Sequence, residues 1–255
     1  MSPHVAHIYP LAQAYAHRDC EFNPPLWRSL QNGFTHIEVD VYCLFGRVFV
    51  GHDLSQLRPR RTLQTLYLEP LRKLLQHNQG KIFVDGTPLW LFVDVKTEAK
   101  SSYRVLHKLL GSYQDIVTTF TPSATHTRHV TVIVSGNRPS YPSIERTLLR
   151  YAAFDGRLPD VGVHINAHVT PIISDNWRKH FSWMGHGPMP ESDQQKLEAL
   201  IATTHQHGQK LRFWDTPDAA TPQRRAVWDR LLTLGVDLVN TDDVEGLQSY
   251  LSQRR

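Results

Sequence analysis

The sequence predicts an α/β fold, a single (β/α)8 barrel spanning residues 1–255, and three observations carry that expectation. Short runs of β-branched and aromatic residues alternate with helical stretches about eight times along the 255 residues, the rhythm and size of such a barrel. No fixed-length repeat, low-complexity tract or Gly/Ser linker divides the chain. A doubly wound sheet shares the alternation, but its fingerprint Gly-x-Gly-x-x-Gly is absent.

Taken in chain order, a weak first strand lies near Ala12–Ala16 and a clear second over Thr35–Val41. Thr62 is placed to cap a helix carrying Leu63, Leu66, Leu71, Leu74 and Leu75, which stops before Gly80. Strands follow at Trp90–Val95 and Val130–Ser135, and two more fall between Tyr151 and Ile173, where periodicity is poor. Thr118–Arg128 and Ser174–Pro190 read as loops. Ser192 with Gln195 reads as a capping box opening a helix with Leu197, Leu200 and Ile201, ended by Gly208. The strand Lys210–Trp214 comes next, then a helix capped by Thr221, begun by Pro222 and ended at Gly235. Strand Leu238–Thr241 and helix Val244–Leu251 close the chain.

Composition narrows the function classes. Hydrophobic residues at 40% and charged residues at 20% are those of an ordinary globular chain, not a disordered one. No run of about 18 apolar residues spans a membrane, and no basic amphipathic helix predicts stable membrane binding. Met1 to Leu11 lacks the basic start and apolar core of a signal peptide, so the expectation is cytoplasmic. A secreted or periplasmic protein whose leader had been removed would read the same. The net charge of +4 is mild, and the clusters Arg58/Arg60/Arg61, Arg224/Arg225 and Arg254/Arg255 lack interleaved aromatics, so no nucleic-acid partner is expected. Two cysteines, Cys20 and Cys43, are too few for a disulfide scaffold and leave open whether they are bridged. Oligomeric state is not legible.

The chemistry collects on two strands. Successive strand residues point to opposite faces, so in His36-Ile37-Glu38-Val39-Asp40-Val41 the aliphatic residues share one face and Glu38 and Asp40 the other. Phe92-Val93-Asp94-Val95-Lys96 repeats the pattern, with Asp94 and Lys96 together. In a barrel whose aliphatic faces pack on helices, all three carboxylates turn towards the axis. Burying them uncompensated is expensive, so a cation must meet them. Lys96 answers for one; the remainder point to a metal ion, and an all-carboxylate set suits Mg²⁺ or Ca²⁺ better than zinc. The alternative is a salt-bridge network organised by Lys96 and Arg18. His17 follows the first strand and His52 the second, beside the same carboxylates, and imidazoles so placed can serve as acid and base. His17-Arg18-Asp19 imitates a kinase catalytic loop, but only three residues separate Asp19 from Asn23 where four are needed, and no glycine loop precedes it.

These segments resemble the phosphatidylinositol phospholipase C-like phosphodiesterase superfamily, which includes the glycerophosphodiester phosphodiesterases, and within it the altered-inheritance-of-mitochondria family and its bacterial relatives. The likeness rests on Ala16-His17-Arg18-Asp19, Gly33 to Val41, Val50-Gly51-His52-Asp53, Arg61 to Tyr67 and Val93 to Thr97, with Leu211-Arg212-Phe213-Trp214 and Asn240-Thr241-Asp242-Asp243 near the end. It implies a TIM-type barrel holding one divalent cation, Mg²⁺ or Ca²⁺, on Glu38, Asp40 and Asp94. It implies His17 and His52 as the acid–base pair, Lys96 and Arg18 as phosphate contacts, Trp214 as a pocket wall and Asn240 as a pocket lining. The expected substrate is a phosphodiester, a small molecule or a phospholipid head group, cleaved by hydrolysis or by cyclisation. Two departures bear on the substrate. Glycerophosphodiesterases carry His-Arg-Gly and Glu-Asn-Thr where this chain has His17-Arg18-Asp19 and Glu21-Phe22-Asn23, and the stretch from His52 to Asp94 is short for their extra small domain. The altered-inheritance branch carries Asn where this chain has Arg18. Two other readings stand beside this one: a zinc amidohydrolase-like enzyme, disfavoured by the lack of His-x-His after the first strand, and a catalytically silent barrel that binds a phosphate ligand or a protein.

Overall fold

The structure is a computed structural model that describes residues 8–163 and 166–254, so Met1–His7 and Arg255 of the C-terminal basic pair lie outside the described residues. Its strands are β1 (Leu11–Ala16), β2 (Phe34–Leu44), β3 (Arg47–Val50), β4 (Leu89–Val95), β5 (Thr119–Phe120), β6 (Thr125–His126), β7 (Val130–Gly136), β8 (Ala153–Gly156), β9 (Ile172–Asn176), β10 (Lys210–Trp214) and β11 (Leu238–Thr241). Eight of them run parallel in the order β1, β2, β4, β7, β8, β9, β10, β11, and β11 pairs back with β1, closing the barrel. β3 is an antiparallel return on β2, and β5 with β6 forms a separate small hairpin. The expected (β/α)8 architecture is present.

The helices are α1 (Trp27–Gln31), α2 (Glu69–His77), α3 (Ala99–Gly111), α4 (Tyr141–Ile144), α5 (Trp177–His180), α6 (Glu191–Gln206), α7 (Pro222–Leu234) and α8 (Val244–Ser252). Their ring has a gap: among the described residues β8 and β9 are joined by a single 3-10 turn, Leu158–Asp160. That segment carries the helix-breaking residues Pro159, Gly162 and Pro171. The helix expected from Thr62 begins with a π-helical turn over Gln64–Leu68. Pro70, which has no N–H and crowds the carbonyl four residues back, sits just past it, and the loosened turn accommodates the ring.

The Thr221 cap is present, accepting from Arg224 N, and Gly235 closes α7 at φ 99°. The Ser192 cap is not. Helix α6 starts two residues earlier than that cap would set it, after Pro190, and no side chain caps it. Instead Asp193 in its first turn accepts from Ser182 N, Ser182 Oγ and Trp183 N, pinning the preceding loop.

Outward strand residues such as Ile37, Val39, Leu91, Val93, Val132 and Val134 pack with Leu71, Leu75, Leu106 and Leu110 in the main core. A second core joins β9 and β10 to Trp177, Phe181, Leu197 and Val227. The barrel interior is plugged by Tyr15, Phe92, Ile133, Ala153, Ile172 and Leu238, all buried. Burial of a ring such as Phe92 is worth about 2–3 kcal/mol and keeps the centre of the barrel dry. This plug is the floor on which the polar residues stand.

Candidate active site

Register places the carboxylates. Asp40 on β2 is the Cα partner of Asp94 on β4, and Glu38 lies two residues below Asp40 on the same inward face. Oxygens of Glu38, Asp40 and Asp94 lie within 4.8 Å of one another, and Glu38 and Asp40 are buried. Lys96 joins them, its Nζ 2.8 Å from Asp40 Oδ1 and 2.7 Å from Asp94 Oδ1. Burial opposes the charge on this lysine, but the two carboxylates prevail and raise its pKa well above the ordinary value. Asp40 Oδ1 is buried, with the Lys96 ammonium as its charge partner. Gly136, at φ +65°, lets the end of β7 close on this cluster: a Cβ there would lie 2.7 Å from Asp94 Oδ1 and 2.7 Å from Val95 O.

Both expected histidines reach the cluster, by different routes. His17 stands directly beyond β1. Its Nδ1 is 2.7 Å from Asp242 Oδ1, and its Nε2 is 3.9 Å from Glu38 Oε1. His52 does not follow a barrel strand but comes just after the return strand β3. Strand β2 runs past the barrel rim to Leu44 and returns as β3, and Gly51 N donates to Asp40 O, which brings His52 back beside its partner strand. His52 Nδ1 is 2.8 Å from Asp40 Oδ2, and its backbone N–H is held by Gln56 Oε1 at 2.7 Å. A carboxylate only accepts, so each imidazole presents Nδ1–H to its carboxylate and leaves Nε2 free of that bond, able to accept a proton on the neutral ring or to donate one from the imidazolium.

The other expected residues are placed less simply. Arg18, in the left-handed region at φ 49°, lies 3.3 Å from Asp242 Oδ2, so it braces the partner of His17 rather than organising the carboxylate network. Trp214 is half-buried at the end of β10, on the face it shares with Arg212. Asn240 is buried and accepts from Arg212 Nη1 at 3.1 Å, so it supports an arginine instead of lining an open pocket. Cys20 and Cys43 are free thiols, and burial pushes Cys20 up to about 12, which leaves it unreactive.

Three residues at the site escaped the sequence reading. Asp242 orients His17. Tyr15 donates from its hydroxyl to Glu38 Oε2 at 2.7 Å, and Arg212 Nη1 lies 3.5 Å from the same oxygen. Tyr15 and Arg212 were legible by the alternation already applied to β2 and β4, since each faces inward between apolar outward neighbours. Asp242 gives no local signal; only closure of β11 onto β1 reveals it. A further carboxylate, Asp218, holds the turn that carries Asp242, accepting from Thr241 Oγ1 at 2.6 Å and from Asp242 N at 2.7 Å. Burial raises the Glu38 pKa against the opposing charges of His17 and Arg212.

Comparison with known proteins agrees with this arrangement. The AIM6-like phosphodiesterase domain matches residues 4–155, and the glycerophosphoryl diester phosphodiesterase family matches residues 210–245. Altered inheritance of mitochondria protein 6 of Eremothecium gossypii is 27% identical over 94% of this chain and 69% of that protein. Its homolog in Arthroderma benhamiae is 27% identical over 87% of this chain and 76% of that protein. Phosphatidylinositol-specific phospholipase C from Listeria monocytogenes superposes with a TM-score of 0.52 at 12% identity, covering 100% of this chain and 97% of that one, a likeness of fold. No helix among the described residues is long and apolar enough to cross a membrane. Matched over more than half its length, with the barrel that the likeness requires, the chain belongs to the AIM6-like phosphodiesterase domain family.

Proposed function

We propose that the protein is a phosphodiesterase in which His17 and His52 act as an acid–base pair over a cation-binding carboxylate cluster. The observation that carries this is the symmetry of the two imidazoles. Each is held through Nδ1 by a carboxylate, Asp242 at 2.7 Å and Asp40 at 2.8 Å, and the two flank one cluster at the barrel mouth. One Nε2 takes the proton of the attacking hydroxyl, and the other returns a proton to the leaving oxygen. Asp242 and Asp40 keep both rings in the useful tautomer and stabilise the imidazolium as it forms.

Glu38, Asp40 and Asp94 fit a hard divalent cation, Mg²⁺ or Ca²⁺. The donors are all oxygens, and they lie within 4.8 Å of one another with Glu38 and Asp40 buried. No histidine belongs to that set, which weighs against zinc and the amidohydrolase reading. Such an ion supplies positive charge to the non-bridging oxygens of a phosphodiester. Lys96 and Arg18 add fixed cations at the same mouth. The nucleophile is either a neighbouring hydroxyl of the substrate, giving a cyclic phosphate, or water, and the substrate is a small phosphodiester or a phospholipid head group.

A second reading is favoured by one contact: Lys96 already bridges Asp40 and Asp94. On this reading the ammonium replaces the metal, and the barrel binds phosphate with or without turnover. Hydrolysis of an aryl phosphodiester with EDTA, then with Mg²⁺ or Ca²⁺ restored, separates the two. The first reading expects metal-dependent turnover that falls by about 10²–10⁴ in His17→Ala and in His52→Ala. Turnover indifferent to EDTA supports the second. Activity of both histidine variants close to wild type overturns the acid–base assignment.

A further inference from the structure

We infer that Tyr15 and Arg212 are positioning residues that hold the Glu38 carboxylate with one oxygen spent and the other aimed at the bound cation; the inference rests on the cation site proposed above. The donors fall on one side only. Tyr15 Oη donates to Glu38 Oε2 at 2.7 Å, and Arg212 Nη1 approaches the same Oε2 at 3.5 Å. The other oxygen, Oε1, faces His17 Nε2 at 3.9 Å, beyond hydrogen-bonding distance. A carboxylate so anchored cannot rotate to present both oxygens to a metal, nor turn away from it.

Both anchors are themselves fixed. Tyr15 is fully buried, and its ring lies edge-on to Phe92 with centroids 4.8 Å apart. The Arg212 guanidinium lies 3.8 Å over the Tyr15 ring, donates from Nε to Ser174 Oγ at 3.1 Å and from Nη1 to Asn240 Oδ1 at 3.1 Å. Being 4% exposed and tied to β1, β2, β9 and β11, it does not reach out to a substrate phosphate. Its charge is spent on Glu38. A tyrosine, an arginine and a glutamate in a barrel core are costly where leucines would pack, so the arrangement is one that serves the oxygen left over.

Calorimetric titration of Mg²⁺ and Ca²⁺ into wild type, Tyr15→Phe and Arg212→Lys tests this, with Glu38→Gln as the control lacking the ligand. Tyr15→Phe keeps the ring and removes only the donor, and a thermal melt near wild type shows that it is folded. The expected result is cation affinity lower by about 10–100-fold in Tyr15→Phe, the range for loss of an outer partner of a metal ligand. Turnover at saturating metal recovers most of the loss, which a merely structural defect would not allow. Arg212→Lys weakens binding likewise. Equal affinity in wild type and Tyr15→Phe, while Glu38→Gln binds poorly, overturns this inference alone. Absence of binding by wild type overturns the cation site and this inference with it.

Discussion

Replacing Asp242 by Asn asks whether His17 is an oriented acid–base group or a side chain that happens to face the barrel mouth. In the wild-type protein Asp242 Oδ1 accepts the Nδ1–H of His17 at 2.7 Å, and Oδ2 lies 3.3 Å from Arg18 Nη2. Burial lowers the His17 pKa, but the bond to Asp242 and the charges of Glu38 and Asp242 outweigh it, and the net shift is upward. For Asp242, burial raises the pKa while the His17 hydrogen bond and the charges of His17 and Arg18 pull it below the ordinary range. A raised histidine stabilises the fold fully below its unfolded value of about 6.5 and loses that contribution as pH rises through the folded value. A depressed aspartate stabilises above about 3.9 and loses its contribution as pH falls. The pair therefore stabilises most between about pH 4 and 6.5. The side chains are 28% and 50% exposed, so screening limits the pair to about 0.5–1 kcal/mol. Asp242→Asn should lower the melting temperature by about 1–4 °C near pH 5.5 and by less near pH 9. With the tautomer no longer enforced, kcat should fall by about 10²-fold or more while KM changes little. Scanning calorimetry at the two pH values and turnover of an aryl phosphodiester make the check. A pH-independent loss of stability, together with a kcat close to wild type, would refute the reasoning.

Asp19 is buried and accepts from Leu26 N at 2.6 Å, from Tyr67 Oη at 2.8 Å and from Ser29 Oγ, holding the chain between β1 and α1. Asp19→Asn turns one acceptor into a donor whichever way the amide lies, so a urea melt should show a loss of about 1–3 kcal/mol, and no loss would mean that the loop is held by other contacts. Thr221→Ala removes the side-chain acceptor at the start of α7 and should cost about 1 kcal/mol by the same measurement, whereas Ser192→Ala, at a position that caps nothing, should cost far less. Glu98 caps α3 by accepting from Lys100 N and Ser101 N, and the Ser101 hydroxyl and these backbone bonds hold its carboxyl at about 2. That depressed value places its contribution to folding above about pH 4.3, to be lost as pH falls through about 2, and an acid titration of Glu98→Gln should lack this step.

The barrel and most of its mouth were legible because two simple periods govern them. Alternation along β2 and β4 assigned Glu38, Asp40 and Asp94 to the interior, and the register confirms that they share it. What alternation does not carry is which strands become neighbours. Asp242 and Asp243 are adjacent and chemically alike, yet Asp243 caps α8 by accepting from Gly246 N while Asp242 crosses to His17. The difference arises only from closure: Thr241 is the Cα partner of Ala16, and His17 N donates to Thr241 O at 3.0 Å, so the residues following each strand meet. The Ser192 cap failed for a related reason. Its local pattern was sound, but the loop of Ser182 and Trp183 packs onto Asp193 and the helix began where Pro190 allowed.

One regularity of the interior was present in the sequence and says which end of the barrel is chemical. Along the inward face of five strands an apolar residue is followed two positions later by a polar one: Phe92 by Asp94, Ile133 by Ser135, Ala153 by Asp155, Ile172 by Ser174 and Leu238 by Asn240. A strand rises about 3.3 Å per residue, so the change from dry to polar happens within one layer of side chains, about 7 Å thick. Uncompensated polar groups at that depth would be costly, and they are instead tied to one another: Ser135 Oγ and Arg157 Nη1 donate to Asp155 Oδ2, and Arg212 donates to Ser174 and Asn240. Strand β10 breaks the order by placing a cation, Arg212, in that layer and an aromatic, Trp214, above it. An interior carrying Glu38, Asp94 and Asp155 requires positive charge from within, and the inverted strand is where the fold supplies it. The same inversion leaves Trp214 on the strand's inward face one layer above that arginine, at the C-terminal rim of the barrel.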